Sequence, residues 1–172
     1  CIDFNNPVWH IHKGNVTNYN SEITFNSLMN LVSICNTTDK SVIWKFVQEY
    51  DSSISALNNP FFDKLIGYSI NYYIDFILPK KKYVKINKEN RKIFEEILFF
   101  LKTVDPSTSA EEIQTEIYEI GKKHEFANLR DFFKLLYQVI LGQEQGPRLG
   151  SFIKLYGINK TYELIEKIIR ET

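Results

Sequence analysis

Residues Leu141–Tyr156 read LGQEQGPRLGSFIKLY. Three glycines and a proline stand between two apolar, helix-like stretches, with Arg148 at the bend. Upstream, Leu129, Phe132, Phe133, Leu136, Val139 and Ile140 recur at the spacing of one helix face, which Gly142 closes. Downstream of Pro147, Leu149, Phe152, Ile153 and Tyr156 form a shorter face that Gly157 stops. Helix, rigid turn, helix is the pattern of an all-α chain, and it continues in both directions.

Toward the N-terminus, Leu28, Leu31, Val32 and Cys35 share one face of a helix starting near Thr24. Val42, Ile43, Phe46, Val47 and Tyr50 repeat the pattern after Thr38 and Asp39, which cap its start. Asn59-Pro60 reads as a cap followed by proline at the first helical position. Phe62, Leu65, Ile66, Ser69, Tyr73, Phe76 and Ile77 then predict one long stripe ending near Pro79.

The segment Asn87–Thr103 buries Ile93, Phe94, Ile97, Leu98 and Leu101. Ser109 and Glu112 form a capping box ahead of Ile113, Ile117 and Ile120, and Gly121 is expected to end that helix. Asn159 is expected to cap a last helix packed through Leu164, Ile165, Ile168 and Ile169. Together these segments predict about eight helices in a multi-helix bundle. Residues 1–21 read as an irregular connector, 22–86 as a first helical subdomain and 87–172 as a second that carries the Gly-Pro-Arg turn.

Composition narrows the function classes. With 44% hydrophobic residues the chain can build a core, and the signature of disorder is absent. Lys+Arg and Asp+Glu number 21 each, so total charge gives no support for bulk binding to polyanions and leaves only local patches. No apolar run approaches the roughly 20 residues of a membrane span. The two cysteines, Cys1 and Cys35, have neither metal nor redox spacing, which points to the cytoplasm. The chain begins with Cys1 rather than Met, the mark of a piece of a longer protein.

Catalytic motifs are missing. Neither a phosphate-binding glycine loop nor a nucleophile elbow occurs. His10 and His12 lie on one face of an extended segment beside Trp9, but no further metal ligands lie near, so all three read as structural. Glu95, Glu96, Glu111, Glu112 and Glu116 sit on helices beside lysines, as solvated ion pairs do. Cys35, on an apolar face, reads as an inert, buried thiol.

The turn is the candidate site. Gly146, Pro147 and Arg148 precede a helix whose first amides carry the positive end of the dipole. Such a terminus holds a phosphate or the edge of an unstacked base, and Arg148 adds a fork of donors and a flat stacking face. The competing reading is a plain helix–helix turn whose glycines cap and whose arginine is solvated. Lys80, Lys81, Lys82, Lys85 and Lys88 with Tyr83, and Lys122, Lys123 and His124, are candidate stripes for an RNA backbone, though charge runs more often simply face water.

Three ordered segments carry a resemblance. LYQVILGQEQGPRLGSFIKLYGINKTYELI, Leu136–Ile165, resembles the C-terminal end of class I lysyl-tRNA synthetases. NPVWHIHKG, from Asn6, resembles the segment after their catalytic domain, and FNSLMNLVSICNTTDKSVIW, from Phe25, the first helices of their anticodon-binding region. The resemblance implies an α-helix cage similar to the anticodon-binding part of glutamyl-tRNA synthetases, which carry a comparable Gly-Pro turn.

It further implies that Gly146, Pro147, Arg148 and Phe152 meet the uridines of the lysine tRNA anticodon loop; Lys81 and Lys82, from the basic stripe, are the candidates for its backbone. A catalytic domain in cis would join lysine to tRNA using ATP with Mg. The HIGH-like and KMSKS-like signatures of that domain are absent here, and HIHK, His10–Lys13, lacks their context. The implied fragment is thus a monomeric, cytoplasmic tRNA-binding module without a catalytic site or cofactor of its own. A helical protein–protein interaction module is the alternative, with Phe61, Tyr68, Tyr72, Phe99 and Phe100 as a docking face.

Overall fold

The computed structural model describes residues 23–172, which form eight α-helices and contain no strand. In chain order they are α1 (Phe25–Cys35), α2 (Lys40–Tyr50), α3 (Pro60–Tyr72), α4 (Arg91–Thr103), α5 (Ala110–Lys123), α6 (Leu129–Ile140), α7 (Leu149–Tyr156) and α8 (Ile158–Arg170). The expected connector over 1–21, with Trp9, His10 and His12, lies outside the described residues.

Local chemistry starts these helices where the sequence placed them. The Thr24 hydroxyl accepts from the Ser27 amide at 3.1 Å, and the Asp39 carboxylate from the Ser41 amide at 2.8 Å. At Ser109 the capping box is complete: its hydroxyl accepts from the Glu112 amide, and Glu112 accepts from the Ser109 amide at 2.9 Å. Asn128 caps α6 by accepting from the Asp131 amide at 3.0 Å. Gly142 and Gly157 take positive φ, +68° and +107°, at the ends of α6 and α7.

Three expectations are corrected. The stripe that Tyr73, Phe76 and Ile77 were to continue is not one α-helix. After Tyr72 the chain widens into a π turn, Tyr73–Ile77, followed by a 3₁₀ turn, Leu78–Lys80. Tyr73 is buried and its hydroxyl donates to Asn36 Oδ1 at 2.9 Å, while Phe76 faces solvent. Gly121 does not end α5. It lies inside the helix, where a Cβ would stand 2.5 Å from Cδ1 of Phe132. Asn159 is not a cap either, because α8 begins one residue earlier, at Ile158, with Gly157 in the cap position.

The helices pack around two cores. Leu28, Leu31, Ile43, Val47, Phe62 and Ile66 fill the first, from α1, α2 and α3. Phe94, Ile97, Ile113, Phe132, Leu136 and Ile165 fill the second, from α4, α5, α6 and α8. Helix α7 serves both: Leu149, Phe152 and Ile153 enter the second core, and Leu155 enters the first. Tyr156 stacks between Phe46 and Phe152, with ring centroids 5.5 and 5.8 Å away. Cys35 is half-buried, and burial pushes its thiol up to about 11, consistent with an inert group.

Candidate nucleic-acid interface

The corner around Arg148 is braced from behind by α5 and α6. The Tyr137 hydroxyl donates to the Pro147 carbonyl oxygen at 2.6 Å. Its ring lies so close to Gly146 that a Cβ there would stand 2.5 Å from Cδ1. Gly150 lies against α5, where a Cβ would collide with the carbonyl oxygen of Ala110. Its amide donates to Gln114 Oε1 at 2.9 Å. The sequence left these first-turn amides open for a ligand, but α5 takes the one at Gly150.

Of the four residues expected at the corner, two reach the surface. Gly146 and Arg148 are exposed. Pro147 is buried, and Phe152 is 1% exposed in the core, so its ring supports the turn and is not presented to a ligand. The Arg148 side chain is 62% exposed, and its Nη1 lies 3.1 Å from Glu111 Oε1. Beside it opens a cleft of about 810 Å³ lined by Gln114, Asn128, Arg130, Lys134, Tyr137 and Arg148.

The lysines of the 80–82 run take different places. Lys81 is half-buried and ties an irregular strap, residues 81–87, to α1: its Nζ donates to the Ser33 carbonyl oxygen at 2.7 Å. The same ammonium lies 5.2 Å from the Tyr73 ring centre and 5.5 Å from that of Tyr83. Burial lowers its pKa. Lys80 and Lys82 carry exposed side chains, and the Lys82 amide donates to the Gly142 carbonyl oxygen at 2.8 Å. The strap thus lies against the turn that leads to Arg148, an adjacency with no signal in the sequence.

Lys122, Lys123 and His124 lie elsewhere. They sit at the far end of α5, about 18 Å along the helix from Glu111 at 1.5 Å per residue. Lys122 pairs with Glu119 at 2.9 Å, which raises its pKa. His124 Nε2 approaches Glu96 Oε1 to 3.2 Å. Tyr137 and Gln114, which shape the corner, were not legible as site residues. One reads as part of an apolar face and the other as helix surface.

The architecture is that of an all-helical bundle whose Arg148 corner flanks a cleft of mixed charge, where Arg130, Lys134 and Arg148 stand beside Asp131 and Glu144. The chain is 47% identical over 165 residues to a lysine–tRNA ligase of Rickettsia bellii (strain OSU 85-389), covering 95% of this chain and 32% of that protein. It is 47% identical over 164 residues to the lysine–tRNA ligase of Rickettsia felis, covering 95% of this chain and 31% of the relative. The same identity holds over 162 residues for that of Rickettsia rickettsii (strain Sheila Smith), covering 94% and 31%. The chain therefore matches a section of the lysyl-tRNA synthetases, as the three sequence segments implied. It spans about a third of the length of these curated relatives. No family model matches the chain, and no solved structure matches it significantly.

Proposed function

We propose that the chain is the anticodon-binding section of a class I lysine–tRNA ligase and that Arg148 reads unpaired anticodon bases. The observation that carries this reading is an exposed guanidinium at a rigidly braced corner, beside a cleft of about 810 Å³. Proteins read RNA sequence in single-stranded loops, by stacking on flat side chains and by hydrogen bonds to base edges. Arginine supplies both. Glu111 pairs with the guanidinium, and a pair this exposed is worth only about 0–1 kcal/mol, so a base can displace it. Lys82 supplies charge for the backbone from the adjoining strap.

In the whole ligase, lysine would be joined to its tRNA using ATP with Mg in a catalytic domain in cis, in a monomeric cytoplasmic enzyme. The helices described here would hold the anticodon end. Among the described residues no helix is long and apolar enough to cross a membrane.

A specific observation favours a second reading, a protein-docking module: Phe61, Tyr68, Tyr72 and Phe99 are exposed, although Phe100 is half-buried against the second core. Titration against a lysine tRNA anticodon stem-loop separates the two. Selective binding that weakens with added salt supports anticodon recognition. Arg148→Ala is expected to weaken that binding by about 1–3 kcal/mol. Equal affinities for wild type and variant would remove Arg148 as a reader, and a flat salt response would favour a protein partner.

A further inference from the structure

The turn over residues 143–146 has a second side. Sharing Glu144 and Gln145 with the Arg148 cleft, another cleft of about 780 Å³ opens beside it. Phe76, Lys80, Lys82, Gln138, Gln143 and Gln145 line it. Its size falls among small-ligand sites, roughly 300–1,000 Å³.

The floor is built from main chain. The Lys82 amide donates to the Gly142 carbonyl oxygen at 2.8 Å, and the Val84 amide to that of Gln138 at 3.1 Å. Only glycine suits position 142: φ is +68°, and a Cβ would press on Lys81 Cγ at 3.0 Å and Tyr83 Cδ2 at 3.1 Å. The Ser33 hydroxyl and Gln143 Oε1 lie 3.2 Å apart, which steadies that amide against α1.

The wall is an aromatic ring that the fold turns outward. In a continuous α-helix Phe76 would share the buried face of Tyr73, three residues earlier. The π turn breaks that register, and Phe76 is 54% exposed, with the Tyr72 ring 4.9 Å away as its neighbour. On the rim, Lys80 and Lys82 have no ion-pair partner among the described residues.

A stacking face, two ammonium groups without an ion-pair partner among the described residues, and side-chain amides match the three parts of a nucleotide. Base–aromatic stacking tolerates any base, lysines take phosphates, and an amide offers a donor beside an acceptor to a base edge. We propose that this cleft binds one unpaired RNA nucleotide. Its base stacks on Phe76, its edge meets the Gln145 amide, and its flanking phosphates lie on Lys80 and Lys82. The turn is then a wedge that splays two neighbouring nucleotides, one to Arg148 and one to Phe76. This inference rests on the reading of the chain as a tRNA-binding section.

The test uses the full chain, a lysine tRNA anticodon stem-loop, and versions of that loop with a single abasic nucleotide. Phe76→Ala removes an exposed ring, and thermal unfolding confirms that the fold is kept. Its affinity for the intact loop is expected to fall roughly 5- to 150-fold, the range for one stacked base. Phe76→Tyr, which restores an aromatic face, is expected to stay within about two-fold of wild type. At one loop position the abasic change should cost wild type affinity but leave Phe76→Ala almost unaffected. Lys80→Ala and Lys82→Ala should each lower the salt slope by about 1.

Undiminished binding by Phe76→Ala, or a loss identical at every abasic position, overturns the proposal. If Arg148→Ala still weakens binding in that case, the anticodon reading survives without this cleft. If only Phe76→Ala weakens it, the cleft stands and Arg148 falls as a reader. If the wild-type chain ignores the stem-loop, both fall.

Discussion

The Tyr137 hydroxyl donates to the carbonyl oxygen of Pro147, and the ring below it occupies the space that Gly146 leaves by lacking a Cβ. One side chain of α6 therefore holds two consecutive residues of the turn. Tyr137→Phe keeps the ring and leaves the carbonyl of buried Pro147 without that donor. It is expected to lower stability by about 1–2 kcal/mol, as for a lost hydrogen bond to a buried group. Urea unfolding should show a lower midpoint with an unchanged slope. An unchanged midpoint would mean that the turn holds itself.

Two glycines should respond oppositely to alanine. At Gly150 a Cβ collides with backbone of α5, which cannot yield without moving the helix. Gly150→Ala is expected to cost about 1–3 kcal/mol or more, the range for overpacking. At Gly67, inside α3, a Cβ meets only the end of the Lys40 side chain, at 3.1 and 3.3 Å. There the helix preference for alanine should prevail, with a gain of up to about 1 kcal/mol. Thermal unfolding of both variants checks the pair; stabilisation by Gly150→Ala would contradict the close approach of α5 and α7.

Acid should weaken the first core through Asp63. Its carboxylate accepts from the Trp44 indole at 2.9 Å and from Lys40 at 2.9 Å, and these bonds, the indole's first, hold its pKa below the usual carboxylate value. A carboxyl with a depressed folded pKa contributes full stability above its unfolded value of about 3.9 and loses it as pH falls through the folded value. Stability should therefore fall below about pH 4. In Asp63→Asn that fall should be shallower but still present, because Asp39, Asp51, Asp105 and Glu112 shift in the same direction. Denaturation midpoints from pH 5 to pH 2.5 decide it, and identical profiles would remove Asp63 from the account.

Glu111 competes with any base for Arg148. Their side chains are 78% and 62% exposed, so the pair adds little to stability. Glu111→Gln should change stability by less than about 0.5 kcal/mol. It should tighten stem-loop binding several-fold, by freeing the guanidinium and removing a charge that repels phosphate. Weaker binding by the variant would show that the carboxylate orients Arg148 and does not mask it.

Helix positions were legible because the signals that set them are local. Thr24, Asp39 and the Ser109–Glu112 pair act within three residues of their own position. The π turn was not legible, because apolar spacing sets Phe76 on the face of Tyr73, and the Tyr73 hydroxyl's bond to Asn36 at the start of the turn spans 37 residues. Gly121 carries the same letter as a terminator, and only Phe132, from the next helix, reveals why it is small. At the corner, glycine and proline punctuation located Arg148. Periodicity had already placed Phe152 on an apolar face, and it was the family resemblance that drew it toward the ligand. Lys81 stood inside a run of charges, and no rule of spacing separates the one lysine that turns inward from its solvated neighbours.

Helix α7 closes the first core from far down the chain. Leu155 joins side chains contributed between Ile23 and Tyr73. A polypeptide emerging from the ribosome would therefore carry an open apolar surface over its first core until α7 had been made. Contacts across such sequence separations slow folding and leave sticky intermediates. The N-terminal half should then be a poor candidate for independent expression, and cuts placed before α7 should aggregate where cuts after α8 do not.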